Sequence, residues 1–591
     1  MCGIIGTTDI LMSSQKFENS FKYIFKRGPD NQSYVKEENF IFGHTRLSIV
    51  DLDDRSNQPF YYQCNNRKLT IVFNGEIYNF LELKELLVNE GYSFHTTSDT
   101  EVVCAAFIEW GVECFNHFEG MWGLAIYDDQ NQELILARDR VGKKPLYYSY
   151  QNNQVHFSSS MWAVATLSNH KIISKEGLEL FFALGFTPDE FSILKDVHKM
   201  KPGKIMVFKK DLDGFLLIKE DYSEYNNAKN NDSIKKLLTK AVKKRIIADV
   251  PIATLMSGGV DSTIITVTTK KIKSDIQTYF VDFEDKSLSE SFWSNYLEKR
   301  NKLKLHKVML DQQAISNAFT DYYNVYEEPF ADYSGIPSIA IFRKMSEHFK
   351  VVLTGDGGDE LFYGYPHYVK KFLLKIFKKI NNNIKISHLF NIHIRRVLEA
   401  NTSQFESSYL KTHTVVTPFA TNYIDSRFNH VIRKYGGFIK GVIQYDREFN
   451  NLPEKYLVKV DRASMFSGVE VRSPFLDEQL LEKVKKSSPF ILFTPFRKKL
   501  FLKILYFRIF GIKYFFSKKQ GFSPPIKHLR KELFDEDKFN WIKQQIKKVS
   551  NELYVEIESL TFKDIEKDEI FYDRFFFLYM WYSHYKQNIN N

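Results

Sequence analysis

A cysteine at the second position is the first residue of this sequence that could act as a nucleophile. Cys2 follows Met1 directly, so removal of the methionine would leave a thiol beside its own α-amino group. An α-amine titrates at about 7.7–8.0 and can therefore accept the thiol proton near neutral pH without a histidine. A second-position cysteine is weak evidence by itself, because a chance buried cysteine would look the same.

Two glycine-rich segments carry carboxylates, and each follows an apolar run typical of a buried strand. Ser257-Gly258-Gly259-Val260-Asp261-Ser262 follows VPIATLM and precedes the helix-like TIITVTTKKI. Such a loop aims backbone N–H groups and a helix N-terminus at a phosphate, although it lacks the lysine of a Walker loop. The second segment, TGDGGDE at 354–360, follows KVVLT. Paired strand-end carboxylates suit Mg²⁺, so we predict Asp261 and Asp359 as metal ligands.

The first 205 residues or so must position Cys2, and they are rich in strand-like runs. LTIVF at 69–73 predicts a strand that enters a turn at Asn74-Gly75. GLAIYD with ELILARD, and PLYYSY with QVHFSS, predict two hairpins, and FLELKELLVNEGY predicts a helix ended by Gly91. Alternating hairpins with few helices indicate an α+β domain of layered antiparallel sheets.

The pattern changes beyond the asparagine-rich segment YSEYNNAKNND at 222–232. Apolar runs at 250–256, 278–283 and 350–354 alternate with helical stretches, and from about 365 the chain reads as mostly helical. Alternating strands and helices predict an α/β domain with a parallel sheet and a site at the carboxyl ends of its strands. The predicted division is a first domain at 1–205, a linker at 206–232 and a second domain at 233–591.

Composition narrows the class of protein. Hydrophobic residues make up 43% and charged residues 26%, as in ordinary globular enzymes. The net charge of +10 is spread over 591 residues in short clusters, which argues against nucleic acid as a partner. Four cysteines are too few for a disulfide framework and favour a reducing compartment. The sequence shows no secretory signal and no apolar run of the ~18 residues that a membrane span needs, so it predicts a cytoplasmic protein.

Six segments of the N-terminal part occur in the order of a known family: RGPD at 27–30, GHTRLSIVD at 43–51, NGEIYN at 74–79, SDTE at 98–101, FEGMWGLAIYD at 118–128 and LARDRVGKKPLYY at 136–148. This part resembles the glutaminase domain of class II glutamine amidotransferases, N-terminal nucleophile hydrolases with αββα layers. The resemblance implies that Cys2 attacks glutamine and that the Asn74 side chain and the Gly75 N–H stabilise the oxyanion. It implies glutamine contacts at Arg46, Leu47, Ser48, Ile49, Val50, Asn74, Gly75, Glu76 and Asp99. Arg46 would bind the glutamine carboxylate, and Glu76 and Asp99 would accept from its ammonium.

The second part is similar to ATP pyrophosphatases at its SGGxDS loop. With EEPFADYSGIP at 327–337, LVKVDRASMFSGVEVRSPFLD at 457–477 and KKQGFSPPI at 518–526, nearly the whole chain resembles glutamine-hydrolysing asparagine synthetases. The resemblance implies ATP and Mg²⁺, an acyl-adenylate facing Asp356, a Lys519 that binds the leaving phosphates, and an internal tunnel for ammonia. It implies ATP contacts at Leu255, Ser257, Gly258, Gly259, Asp261, Ser262, Val281, Thr354 and Gly355. Asp332, Ser334 and Arg472 are residue types able to hold the acceptor, aspartate.

Three positions depart from the family pattern. Ser160 stands where an acid is common, Thr263 follows the loop in place of a serine, and Tyr363 stands where glycine is more usual. Tyr363 bears on the acceptor pocket, which it could close around a small acid or widen with its ring for a larger one. A sibling amidotransferase acting on a cell-surface sugar or peptide carboxylate therefore stays open. A non-catalytic nucleic-acid or membrane-binding protein is the rival class, and the full sets of chemical residues argue against it.

The segment VKKFLLKIFKKI at 369–380 has its own alternatives. Its apolar residues recur at helical spacing and leave the lysines opposite. This pattern predicts a surface helix packed on the second domain, with an anionic membrane surface as the alternative partner. The partners otherwise expected are glutamine, aspartate and ATP, and a homodimer is left open as the assembly.

Overall fold

The computed structural model of the protein describes residues 2–188, 190–225, 231–284, 291–390, 392–412, 414–488, 499–515 and 527–590. Lys519 and its KKQGFSPPI segment, including the predicted role of this lysine, lie outside the described residues.

Two antiparallel six-stranded sheets form the N-terminal domain. Their order is β10-β8-β9-β1-β3-β2 and β12-β11-β7-β6-β5-β4. The strands are β1 Gly3–Thr7, β2 Asn31–Lys36, β3 Ile41–Arg46, β4 Phe60–Cys64, β5 Arg67–Ile77, β6 Gly120–Asp128, β7 Glu133–Arg138, β8 Tyr147–Gln151, β9 Gln154–Ser158, β10 His198–Lys199, β11 Lys204–Asp211 and β12 Gly214–Tyr222. The two predicted hairpins are confirmed as β6 with β7 and β8 with β9.

Helices cover the outer faces of these sheets. They are α1 Ser14–Phe21, α2 Phe80–Asn89, α3 Asp99–Trp110, α4 Met161–Ser168 and α5 Lys175–Leu184. The sheets face each other through buried residues such as Phe42, Val72 and Leu136. Helices α1 and α4 pack on the first sheet, and α2 and α3 pack on the second. The predicted αββα layering is therefore confirmed, because each sheet buries one face against its partner and the other beneath helices.

Two local predictions for this domain are wrong. Asn74 and Gly75 do not form a turn, because β5 runs through them and pairs with β6 at Gly123 and Trp122. Glycine is required at 75 for close approach: a Cβ there would lie 2.3 Å from the Met121 carbonyl oxygen. The linker predicted from residue 206 is also too long, since residues up to Tyr222 form two strands of the second sheet.

A five-stranded parallel sheet organises the C-terminal domain and confirms the predicted α/β class. Its order is β15-β14-β13-β16-β17, with β13 Ile252–Met256, β14 Gln277–Phe283, β15 Leu305–Leu310, β16 Val351–Leu353 and β17 Glu470–Arg472. From β13 the chain adds β14 and β15 on one side of the sheet and then β16 and β17 on the other side. The strand order therefore reverses between β13 and β16. Open sheets of this kind bind ligands outside the carboxyl ends of the strands at such a switch point.

Helices surround this sheet and make up most of the chain beyond residue 365, as predicted. They are α6 Ile234–Arg245, α7 Val260–Ile272, α8 Ser291–Asn301, α9 Gln312–Thr320, α10 Tyr322–Tyr326, α11 Gly335–Ser346, α12 Gly358–Leu361, α13 Pro366–Ile384, α14 Ile392–Glu399, α15 Phe405–Leu410, α16 Pro418–Tyr435, α17 Phe438–Glu448, α18 Leu457–Met465, α19 Glu478–Lys486, α20 Leu500–Leu505, α21 Phe507–Phe515, α22 Lys527–Leu533, α23 Glu536–Val549, α24 Asn551–Ile557, α25 Phe562–Glu566 and α26 Glu569–Asn590. A single π-helical turn, Leu452–Tyr456, leads directly into α18. Within the described ranges no helix has the length and apolarity to cross a bilayer.

Helix α13 does not separate its charges as its sequence predicted. The Lys371 ammonium is buried against the Glu406 carboxylate, and that of Lys378 donates to the carbonyl oxygens of Val397 and Leu398 at 3.3 and 3.2 Å. Long lysine side chains can bury their stems when the ammonium reaches an acceptor. The expectation that all lysines face away from the core is therefore wrong.

Candidate active sites

A small cavity of about 40 Å³ surrounds the Cys2 thiol, and we call it the Cys2 pocket. Cys2 lies immediately before β1, which pairs with β3. The C-terminal ends of β3 and β5 lie beside it at the same site. From the predicted glutamine-binding set, the pocket wall contains Arg46, Leu47, Ile49, Val50, Gly75, Glu76 and Asp99. The wall includes neither Asn74 nor Ser48, and the Ser48 backbone N–H donates to Asp30 at 2.7 Å.

The polar contacts of Cys2 tie it to Asn74. The Cys2 backbone N–H donates to the Asn74 side-chain oxygen at 3.2 Å, and the Asn74 amide donates to Ser159 Oγ at 3.4 Å. Burial raises the pKa of the Cys2 thiol, while the chain's N-terminal charge, the Leu47 backbone and Arg46 oppose the rise. A thiol in this setting needs a base within reach to become a nucleophile.

Two carboxylates line the pocket opposite the thiol, on the elements that the sequence indicated. Asp99 begins α3, where its Oδ2 accepts the Ile77 N–H at 2.9 Å. Burial raises the pKa of Asp99 to about 6, against the lowering effect of the Ile77 N–H. Burial also raises the pKa of Glu76, although Arg472 opposes the rise. Buried carboxylates of this kind favour a cationic ligand group such as an ammonium, because it restores the charged form.

The C-terminal domain completes the Cys2 pocket, and sequence reasoning missed this contribution. Glu470 on β17 lines the cavity, about 470 residues away in sequence from Cys2. Arg472 on the same strand pairs with Glu470 and, at 3.0 Å, with Glu76. The predicted role of Arg472 as an acceptor ligand is therefore wrong: its guanidinium is fully buried between two carboxylates and donates to the carbonyl oxygens of Arg245 and Ile247. The motif VEVRSPFLD contains both residues, but nothing in the motif indicates which pocket they belong to.

Arg46 is held rigidly at the wall of the Cys2 pocket. Its Nη1 donates to Asn57 Oδ1 at 2.7 Å and to the Asp53 carbonyl oxygen at 2.9 Å, and its Nη2 contacts the Asp51 carbonyl oxygen. These contacts orient the guanidinium without neutralising it, because all three acceptors are uncharged. Its positive charge is therefore available to a carboxylate in the pocket.

A second cavity of about 640 Å³ opens at the carboxyl ends of β13 and β16, and we call it the strand-end cleft. It brings together Leu255, Ser257, Gly259, Asp261, Ser262, Thr354, Gly355, Asp356 and Asp359 from the predicted ATP and metal set. Gly258 and Val281 do not line it; the Gly258 carbonyl oxygen accepts the Tyr514 hydroxyl at 2.5 Å.

Close packing of the two glycine-rich loops shapes the cleft. A Cβ at Gly355 would lie 2.5 Å from the Ser262 nitrogen, and one at Gly358 would lie 2.6 Å from Asp261 Oδ1. Glycines at these positions therefore let both loops reach the switch point side by side. The Ser262 hydroxyl accepts the Ser257 N–H at 3.1 Å, which folds the first loop over the start of α7. This places backbone N–H groups and a helix N-terminus together, as a phosphate requires.

Lys499 joins the two predicted metal ligands, and sequence reasoning missed it. Its ammonium contacts the Asp261 carboxylate and lies 2.5 Å from Asp359 Oδ1. Burial would lower the pKa of Lys499, but the two carboxylates raise it above its usual value. Asp261 and Asp359 thus converge on a single positive charge, which is the donor set that Mg²⁺ takes when phosphates supply its other ligands. Among the described residues, no group of three or more histidine, cysteine or acidic side chains is arranged to hold a metal ion.

The predicted acceptor residues Asp332 and Ser334 also line the strand-end cleft. Lys459 Nζ lies 2.8 Å from Ser334 Oγ and 3.5 Å from Asp332 Oδ2. Burial alone would raise the pKa of Asp332, but Lys459, Lys455 and Ser334 lower it to about 2. This side of the cleft therefore keeps a charged carboxylate near neutral pH.

Tyr363 does not line the cleft, so the predicted effect of its ring on the acceptor pocket is wrong. It packs in the core beside Tyr368 with a positive φ of 57°, which explains why glycine suits this position. The aromatic wall of the cleft is instead a stacked pair, Tyr365 and Tyr456, with ring centroids 5.2 Å apart. Ser160, the other departure, caps α4 by accepting the Ala163 N–H at 3.3 Å.

A buried chain of polar groups runs from the first domain toward Asp356. Lys143 Nζ donates to Ser473 Oγ at 2.7 Å, Ser473 lies 3.5 Å from Thr354 Oγ1, and Thr354 donates to Asp356 Oδ2 at 2.5 Å. Burial lowers the pKa of Lys143 to about 7. The two cavities are thus held in register by side chains that cross between the domains.

Comparisons with known proteins identify a family for each half of the chain. The family model described as a glutamine amidotransferase domain matches residues 1–215, and the one described as asparagine synthase matches residues 233–578. A putative glutamine-hydrolysing asparagine synthetase 2 of Methanocaldococcus jannaschii is 30% identical over 513 residues, covering 79% of this chain and 98% of that protein. Asparagine synthetase 1 of Bacillus subtilis is 26% identical and covers 94% of this chain and 91% of its own length. Amidase chyE of Penicillium rubens is 25% identical, with 80% and 78% covered.

Proposed function

The chain belongs to the asparagine synthase family, and on that premise we propose how its residues divide the work of glutamine-dependent asparagine synthesis. It is an ATP-dependent, glutamine-hydrolysing ligase whose two activities belong to different domains. The observation that carries the proposed division is a pocket at the Cys2 thiol in the first domain and a separate strand-end cleft in the second, with the Glu76–Arg472–Glu470 cluster crossing between the domains.

Cys2 is the proposed nucleophile of the first step. Once Met1 is removed, the α-amino group accepts the thiol proton and the thiolate attacks the glutamine side-chain carbonyl. The C–N bond then breaks, ammonia leaves with a proton, and the γ-glutamyl thioester is hydrolysed by water to glutamate. The Asn74 side-chain amide and the Gly75 N–H are the proposed donors to the carbonyl oxygen as negative charge develops on it; Asn74 already contacts the Cys2 backbone, and Gly75 lines the pocket. Arg46 binds the α-carboxylate of glutamine, and Glu76 and Asp99 bind its ammonium.

The strand-end cleft is the proposed site of adenylation. The β-carboxylate of aspartate attacks the α-phosphorus of ATP, pyrophosphate leaves, and ammonia then attacks the acyl carbon and displaces AMP. The loop from Ser257 to Ser262 holds the phosphates through backbone N–H groups. Asp356 faces the acyl group, at the end of the polar chain that begins at Lys143. Ammonia made in the Cys2 pocket passes inside the protein to this cleft.

Mg²⁺ is the proposed partner of the phosphates. Asp261 and Asp359 would hold it, since both already converge on one cation, the Lys499 ammonium. When bound, the metal neutralises phosphate charge as pyrophosphate leaves. A cytoplasmic location remains our proposal, supported by four free cysteines, and a homodimer stays a prediction.

The experiment is a product balance. Purified enzyme receives glutamine, ATP, Mg²⁺ and one carboxylate at a time, and asparagine, glutamate, AMP and pyrophosphate are quantified. Aspartate should give asparagine and AMP in equal amounts. If aspartate gives no AMP above background while a sugar or peptide carboxylate does, the enzyme is a sibling amidotransferase with another acceptor.

A further inference from the structure

Lys455 stands apart from the other lysines of the strand-end cleft. Lys499 is paired with two carboxylates, and Lys459 contacts Ser334 and Asp332. Lys455 lines the same cleft, yet it makes no hydrogen bond or ion pair with any residue that the structure describes. Lys455 is half-buried at the wall, and Asp332 is the carboxylate whose charge acts on it most, without a hydrogen bond between them. The ammonium therefore keeps all its hydrogen-bonding capacity for an anionic group brought by a ligand.

The backbone at Lys455 is unusual. Leu452–Tyr456 forms one π-helical turn immediately before α18, and Pro453 lies within it. Single π turns cost regular hydrogen bonding and occur frequently at functional sites. This turn brings Lys455 and Tyr456 to the cleft together, and Tyr456 stacks on Tyr365. The turn thus presents one cation and one aromatic wall to the same ligand.

The charges around Lys455 separate it from the phosphate site. Burial lowers the pKa of Lys455, and its charged neighbours are Asp332, Arg574, Lys459 and Asp573. The neighbours of Lys499 are instead Asp261 and Asp359, beside the phosphate loop. Lys499 lies against Asp261 and Asp359 on the side of the phosphate loop, whereas Asp332 is the carboxylate that acts most on Lys455, so the two lysines belong to different regions. Lys455 belongs to the region that also contains Asp332 and Ser334.

We propose that Lys455 binds the carboxylate of the acceptor that does not react, and so selects a dicarboxylic acid. This inference rests on the proposed function and deepens it. The reacting carboxylate loses its charge when it becomes an acyl-adenylate, so a permanent cation suits only the group that stays ionised. For aspartate that group is the α-carboxylate. Lys455 then forms a charge-assisted hydrogen bond that lasts through both chemical steps.

The test compares two acceptors that differ only in that carboxylate. Aspartate without its α-carboxylate is 3-aminopropanoate, which keeps the reacting carboxylate and the amine. We expect Lys455→Met to lower kcat/KM for aspartate about 10- to 100-fold, the size of a charged hydrogen bond. The value for 3-aminopropanoate should change less than about 3-fold, because that acid never used the ammonium. The readout is AMP release at saturating ATP, with ammonia as nitrogen donor.

Two further variants secure the interpretation. Lys455→Arg keeps the charge and should retain most of the preference for aspartate, whereas a merely structural lysine would show no such rescue. Lys344→Met removes an exposed lysine of α11, outside the cleft, and should leave both acceptors unaffected. Thermal unfolding of each variant establishes that it is folded.

Other outcomes overturn the inference. If Lys455→Met lowers the rate with both acids equally, the lysine does not bind the non-reacting carboxylate. If it raises only the KM for ATP, the lysine binds a phosphate. If the wild-type enzyme does not use aspartate, the proposed acceptor is wrong. If the acceptor it uses is a monocarboxylate, the Lys455 assignment is wrong as well. If the acceptor is another dicarboxylate, the same comparison with an analogue that lacks the second carboxylate tests the Lys455 assignment.

Discussion

The Cys2 pocket and the strand-end cleft differ in how far they are assembled before any substrate binds. The pocket encloses about 40 Å³, and Asn74, Arg46 and Asp99 already make their orienting hydrogen bonds. The cleft encloses about 640 Å³, and Asp261 and Asp359 satisfy their charges with Lys499. The first site is preorganised for one small ligand. In the second site, Asp261 and Asp359 are paired with Lys499 before a larger, highly charged substrate binds.

This difference follows from what each site must do. Glutamine has one carboxylate, one ammonium and one carboxamide, so a few fixed groups suffice, and fixed groups give the greatest electrostatic stabilisation. The cleft must admit a nucleotide and an acid and release pyrophosphate and AMP. Pairing with Lys499 offsets the cost of holding the Asp261 and Asp359 carboxylates together before a ligand binds. Lys499 therefore has to exchange partners when phosphates and metal bind.

The largest effect should come from Cys2→Ala. It removes the proposed nucleophile of the pocket, so glutamine-dependent synthesis should fall at least about 10³-fold. Ammonia-dependent synthesis should persist, because the cleft needs only a nitrogen nucleophile. Asparagine formed from glutamine and from ammonium chloride is measured side by side. Cys64→Ala, which removes another free cysteine, is the control. Equal loss with both nitrogen sources in a folded variant would refute the division into two sites.

Asp261→Asn tests the cleft in the same manner. The variant loses one charge of the pair that surrounds Lys499 and a proposed metal ligand, so pyrophosphate release should fall about 10²-fold. Glutamate release should remain measurable, because Asp261 does not line the Cys2 pocket. Asp275→Asn, an exposed change between α7 and β14, serves as control. Unchanged pyrophosphate release would dismiss the metal assignment.

Arg472→Met tests where the two sites depend on each other. The substitution leaves Glu76 and Glu470 buried without their cation, which should lower the free energy of unfolding by about 3–5 kcal/mol. Denaturant unfolding measures the change, and Arg395→Met on the exposed face of α14 is the control. Both activities should weaken together, because Arg472 pairs with Glu76 and Glu470 of the Cys2 pocket and its carbonyl oxygen accepts the N–H of Thr354, which lines the cleft. A loss confined to glutamine use would show that the sites are more independent than this cluster suggests.

The smallest effect concerns pH. Burial raises the pKa of Asp99 to about 6, so its carboxylate becomes neutral below that pH and can no longer attract the glutamine ammonium. Below pH 6 we expect kcat/KM for glutamine to fall about tenfold more per pH unit than protonation of the Cys2 α-amino group, which titrates at about 7.7–8.0, already requires. Glutamate release is measured from pH 5 to 8, and Asp99→Asn should be low at every pH and lack this limb. A limb that persists in Asp99→Asn would assign it to another group, with Glu76 the next candidate.

Sequence reasoning succeeded where one short segment supplies both the chemistry and its support. The residues of GHTRLSIVD and SDTE reach the Cys2 pocket because each lies at the end of a strand or the start of a helix. The SGG and TGDGGDE loops meet because parallel strands end at the same edge of the sheet. The prediction of a turn at Asn74-Gly75 failed, because both residues pair with β6 as part of the continuous strand β5.

Residues far apart in sequence were beyond that reasoning. Arg472 looks like an acceptor ligand until the fold places Glu76 and Glu470 against it. Tyr363 looks like part of the acceptor wall until its backbone turns the ring into the core. Lys455 and Lys499 carry no local signal at all, since one lysine among many resembles a solvated side chain.

The sequence by itself determined the two fold classes and both glycine-rich loops, and it indicated the proposed nucleophile, because these depend on periodicity, glycine placement and residue position. Only the tertiary structure decided which cavity each distant charge enters. The free energy of a buried charge depends on the partner that burial supplies, and that partner comes from another part of the chain. Glu470 completes the Cys2 pocket and Lys499 joins Asp261 to Asp359 for this reason.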